Sequence, residues 1–86
     1  MEHYYKFLGE TMIYRFGCLD IEPHEYDIYC KIIEKLKNDK EITEDDKKNI
    51  LKIINEMIYV CDEYEIKILE IIKQKIKKWT ILYKSI

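Results

Sequence analysis

Eighty-six residues, 48% of them apolar or aromatic, with a formal net charge of −2, describe one small domain without the strong positive charge of a basic nucleic-acid-binding module. The longest uninterrupted apolar run, residues 57–61, is far too short to span a bilayer. The opening Met1-Glu2-His3-Tyr4-Tyr5 lacks the basic start and apolar stretch of a secretory signal, so a soluble cytoplasmic protein is expected, with residues 1–86 as a single helical domain.

The composition is unusual in detail. Seventeen isoleucines and eight tyrosines stand beside one valine and no alanine, so helix contacts must be filled by bulky side chains. A chain this short buries only about 60% of the surface its unfolded form exposes, which leaves a large apolar load for so small a core. Self-association or a docked partner would cover the excess. The twenty-five glutamates and lysines against eight Ser, Thr, Asn and Gln resemble the composition of hyperthermophile proteins. An AT-rich genome also enriches Ile, Lys and Tyr, but the low Asn content leans towards a thermophile. Three cysteines, Cys18, Cys30 and Cys61, form no close pair and read as buried free thiols, with one intracellular bridge as the alternative.

Residues 2–16 carry Tyr5, Leu8, Met12 and Phe16 on one helical face, with Glu2, Lys6 and Glu10 as a polar stripe at i, i+4 spacing. A helix is expected, ending at Gly17 in a left-handed cap. The rival is a β-hairpin turning at Gly9-Glu10, which an isolated pair of strands would scarcely stabilise. After the connector at residues 18–22, Pro23 suits the first position of a second helix that runs to about Lys37, its seam formed by Tyr26, Tyr29, Ile33 and Leu36. Residues 38–41 read as a polar loop. Thr43 is a good N-cap, with Asp46 placed for a capping box and Glu44, Asp45 and Asp46 favoured by the helix dipole.

From Thr43 onward neither glycine nor proline interrupts the pattern. Ile50, Ile54, Met57, Cys61, Tyr64, Ile68 and Ile71 keep heptad spacing, and a second seam of Leu69, Ile72, Ile76, Trp79, Tyr83 and Ile86 follows one position along. One long helix with a drifting contact face, straight or kinked, is the preferred reading. A break at Asp62-Glu63, with Asp62 as N-cap, is the other. The fold class is therefore all-α, a small bundle of three or four helices with a long C-terminal helix.

Little in the chain points to chemistry. His3 and His24 stand in no metal-ligand spacing, and His24 with Cys18 and Cys30 would need the connector to fold back. There is no glycine-rich phosphate loop, and Arg15 is the sole arginine. No catalytic residue, metal or cofactor is expected, and the protein is not read as an enzyme.

Two features suggest binding. The seam Leu69, Ile72, Ile76, Trp79 and Tyr83 offers an apolar edge with aromatic anchors of the kind enriched at interface hot spots. Charge is also segregated: residues 63–86 carry a local net of +3, and Lys73, Lys77, Lys78 and Lys84 are the candidate nucleic-acid contacts. The spread of these lysines around the helix and the absence of arginine there weaken that reading. The expectation is a protein–protein interaction or assembly module, self-associating or docking as a subunit through its C-terminal helix. The alternatives are a small nucleic-acid-binding or regulatory protein, and an inhibitor or immunity-type protein whose acidic N-terminal half plugs a partner enzyme.

Overall fold

The computed structural model describes the backbone of residues 2–84 and the side chains of residues 3–78. Four helices account for most of the chain: α1 (Glu2–Tyr14), α2 (Pro23–Lys37), α3 (Glu44–Ile58) and α4 (Glu63–Lys84). No strand occurs among the described residues. Residues 2–16 are thus mainly helical, and α1 runs straight through Gly9, whose missing side chain faces Ile33 of α2.

The starts of α2, α3 and α4 are chemically specified. Pro23 opens α2 while the Glu22 backbone N–H donates to Glu25 Oε1 at 3.2 Å. Thr43 and Asp46 form a reciprocal capping box at the head of α3: Asp46 N–H donates to Thr43 Oγ1 (3.0 Å), and Thr43 N–H donates to Asp46 Oδ2 (3.2 Å). Asp62 and Glu65 repeat the arrangement ahead of α4, with both bonds at 3.0 Å.

Helix ends depart from the sequence expectations. Gly17 is not a left-handed cap, since no glycine among the described residues has positive φ. Instead α1 tightens into a short 3₁₀ turn over Phe16–Cys18, closed by Cys18 N–H to Arg15 C=O (2.8 Å) and Leu19 N–H to Phe16 C=O (3.1 Å). Bonds from i+3 to i satisfy the last carbonyls without any left-handed residue. The left-handed position falls on Asp39 (φ 55°), where Lys40 N–H reaches back to Lys35 C=O at 2.8 Å in a Schellman-type closure of α2.

The preferred long helix from Thr43 onward is also corrected. The chain leaves the helix after Ile58 and turns through residues 59–61, with Val60 and Cys61 N–H both donating to Met57 C=O at 3.0 Å. Tyr59 stays in the ordinary right-handed region (φ −73°, ψ −21°), so the stop needs neither glycine nor proline. The new N-cap at Asp62 then restarts the chain. The reversal has an energetic reason: a continuous rod would leave Leu69, Ile72 and Ile76 in water, whereas the fold-back buries all three. Each such side chain contributes about 1.5–3 kcal/mol on full burial.

The helices pack in a ring, α1 on α2, α2 on α3, α3 on α4 and α4 back on α1. Arg15 just beyond α1 meets Glu65 at the start of α4, while Tyr4 near the start of α1 has Lys75 Nζ 5.2 Å from its ring centre. The first and last helices therefore run antiparallel, as short connections in a bundle require. The core is filled by Tyr5, Leu8 and Met12 of α1, Tyr29, Ile32, Ile33 and Leu36 of α2, Ile50, Ile53, Ile54 and Met57 of α3, and Leu69, Ile72 and Ile76 of α4. Burial is the main influence on the Tyr5 phenol, joined by the Asp39 charge, and together they push it up to about 12, so it remains protonated across the working range of pH.

Asp46 joins two helices. Its Oδ2 accepts from Lys35 Nζ of α2 at 3.0 Å as well as from Thr43. Burial acts to raise the carboxyl, but the bonds from Lys35 and Thr43 outweigh it and hold the group below its usual value. A carboxylate with a depressed folded value contributes stability that is fully present above its unfolded value near about 3.9 and is lost as pH falls through the lower folded value. Asp46→Asn is expected to cost roughly 0.5–1 kcal/mol at pH 7. In urea titrations that difference from the parent shrinks as pH falls below about 4.

Candidate functional site

Six large apolar side chains are exposed among the described residues, and, apart from Ile28 of α2 and Ile71 of α4, they lie near the junction of α1 with α4. Ile13 and Tyr14 at the end of α1 are 61% and 75% exposed, Tyr59 in the α3–α4 turn 89%, and Tyr64 in the first turn of α4 71%. The chain brings these positions to one end of the bundle, because Arg15 reaches across from α1 to the head of α4. Its Nη2 donates to Glu65 Oε1, lies 3.9 Å from Asp62 Oδ2, and its guanidinium carbon sits 5.0 Å from the centre of the Tyr14 ring. The hydrogen bond from Arg15 to Glu65 is the main influence raising the guanidinium above its ordinary value, so it is a fixed positive charge.

Beside this end lies an apolar groove of about 620 Å³, lined by Ile13, Phe16, Pro23, His24, Tyr26 and Asp27. The 3₁₀ turn after α1 makes it. That turn presents Phe16 edge-on to Tyr26 of α2, with ring centres 5.2 Å apart at 86°, a favourable aromatic geometry. His24 and Asp27 stand on the rim, where His24 Nδ1 is 3.4 Å from Glu22 Oε2. A second, smaller depression of about 350 Å³ continues along the α1–α2 seam over Gly9, Cys30 and Ile33, and shares Ile13 with the first. The groove is apolar in its floor with a few polar groups on its rim, the composition of a binding surface.

The sequence-derived interface residues divide in two. Leu69, Ile72 and Ile76 are fully buried in the protein's own core and are closed to a partner. The fold itself uses the seam that was read as an apolar edge. The side chains of Trp79 and Tyr83, with that of Lys84, lie outside the described residues. Among the candidate nucleic-acid contacts, Lys77 and Lys78 are exposed and Lys73 is half-buried. Beyond Met57 the first heptad seam holds only in part: Cys61 and Ile68 pack against the core, while Tyr64 faces solvent and Ile71 is 44% exposed.

The three thiols are free. Cys18 is exposed, contrary to the buried reading, because it closes the 3₁₀ turn at the surface, while Cys30 and Cys61 are half-buried. Burial, followed by the neighbouring Glu65 charge, pushes the Cys61 thiol up, away from the thiolate that reactivity needs. Among the described residues no three His, Cys, Asp or Glu side chains gather as metal ligands, and no helix is long and apolar enough to cross a membrane.

The aromatic end was missed at the sequence level because Ile13, Tyr14, Tyr59 and Tyr64 are separated along the chain and came together only when α4 folded back. Compared with known protein families, curated proteins and solved structures, the chain matches none.

The division between core and surface has a direct consequence. Leu69→Ala is expected to lower the unfolding free energy by about 2–5 kcal/mol, as buried leucine truncations do. Tyr64→Ala, at the exposed position one turn earlier, is expected to change it by less than about 0.5 kcal/mol. Thermal and urea denaturation followed by circular dichroism check both.

Proposed function

We propose that this protein is a small helical interaction and assembly module that associates with a second copy of itself. The observation that carries this reading is the collection of large apolar side chains at the Arg15–Glu65 end, with the groove beside it. Single exposed apolar residues are ordinary, whereas a gathered set next to a concave apolar surface is characteristic of a binding face. Tyrosine suits the purpose: it supplies broad contact area at low entropic cost and tolerates exposure in the free state. The ion pair of Arg15 with Glu65 fixes the two helix ends that present these side chains, so little ordering is required on association.

Size-exclusion chromatography with light scattering tests the reading. The expected mass is twice the chain mass of 10.6 kDa, with Ile13→Glu shifting the protein towards monomer while leaving its helical spectrum intact. A monomer at millimolar concentration overturns it.

A second reading, nucleic-acid binding, is favoured by one observation. Lys77 and Lys78 are exposed, and no carboxylate side chain follows Glu70. If it holds, binding to DNA or RNA weakens steeply with salt and is abolished by changing Lys73, Lys77 and Lys78 to glutamate. Absence of binding at low salt excludes it.

A further inference from the structure

The groove beside Ile13 and the far end of α4 are complementary in both polarity and charge. Residues 16–30, which supply most of the groove and its surroundings, carry Asp20, Glu22, Glu25 and Asp27 and no lysine or arginine. Arg15, the nearest cation in sequence, is engaged by Glu65 and Asp62. Residues 71–86 carry five lysines and no acidic side chain, and from residue 79 onward they hold Trp79, Ile81, Leu82, Tyr83 and Ile86. One region thus offers an apolar trough with Asp27 in its lining, Glu22 beside His24 on its rim and no cation among its lining residues, and the other an apolar segment with five lysines.

The two cannot meet within one chain. The groove lies at the bundle end where Arg15 meets Glu65, and α4 leads away from that end towards Tyr4. Residues 77–84 lie on the order of 20 Å further along the helix axis. In two copies placed side by side with their long axes antiparallel, the basic end of each falls beside the acidic groove of the other. That arrangement has twofold symmetry, satisfies both contacts at once and leaves no groove free to recruit a third copy.

We propose that the chain forms a reciprocal dimer in which residues 77–86 of each copy lie in the Ile13–Phe16–Tyr26 groove of the other. The apolar residues of the tail meet the apolar floor, and the exposed Lys77 and Lys78 pair with Asp27 and Glu22. Lys77 and Lys78 then serve as specificity contacts for a second copy rather than for phosphate. This rests on the self-association reading above and names its two surfaces.

Sedimentation equilibrium on charge-swapped variants is the test. Glu22→Lys with Asp27→Lys reverses the groove, Lys77→Glu with Lys78→Glu reverses the tail, and every changed side chain is exposed, so the helical spectrum serves as a folding control. Because each reversal acts twice in a reciprocal dimer, either pair alone is expected to weaken dimerisation by about tenfold or more. Combining all four in one chain is expected to restore it to near the parent value. Removing residues 79–86 is expected to give a folded monomer, and salt is expected to weaken the parent dimer. A parent dimer indifferent to both reversals and to the truncation overturns the inference while leaving self-association standing, as does a fourfold variant that fails to recover. A parent protein that is monomeric at millimolar concentration overturns both.

Discussion

One carboxylate oxygen, Glu65 Oε1, accepts the Asp62 backbone N–H and the Arg15 guanidinium, and through those two bonds the chain's return path is set. The first bond starts α4 at a defined residue. The second ties that start to the end of α1. If α3 ran on past Ile58 as a rod, Leu69, Ile72 and Ile76 would have no core to enter, and the α1–α4 contact that closes the ring would be lost. The sole arginine of the chain is placed where two helix ends must be joined, its Nη2 donating to Glu65 and lying 3.9 Å from Asp62 Oδ2.

The same junction shapes the surface. Joining the ends of α1 and α4 leaves Ile13, Tyr14, Tyr59 and Tyr64 around a single end of the bundle, and the 3₁₀ turn that follows places Phe16 against Tyr26 to form the adjoining groove. Structure and prospective binding thus share one cause. The side chains that stabilise the fold point inward from the residues that create the exposed patch, so core and surface truncations have opposite expected effects on stability and association. The Cys61 thiol is pushed up by its surroundings, and the groups with perturbed ionisation, such as Asp46, are employed in helix capping and interhelical pairing.

Much of this was legible in the chain. Pro23 at the head of α2, Thr43 with Asp46 at the head of α3, and the end of α2 at Lys37 follow from local rules, because capping satisfies backbone groups within a few residues of one another. The end of α3 was harder to read. It uses right-handed residues and carries no breaker, and the Asp62–Glu65 signal that restarts the chain is also compatible with the interior of a helix. Gly17 misled for the reverse reason: a residue able to adopt the left-handed region need not do so when a 3₁₀ turn satisfies the same carbonyls.

By itself the sequence determined the helical class, the first three helix starts and the faces of α1, α2 and α3 that turn inward, because those depend on periodicity and on bonds spanning one turn. Only the tertiary structure decided whether the Leu69–Ile76 seam would be core or surface. Helical periodicity identifies an apolar face but says nothing of what covers it. The answer came from the fold-back at residues 59–62, which costs little locally and is rewarded only when three distant helices are present to receive the buried side chains.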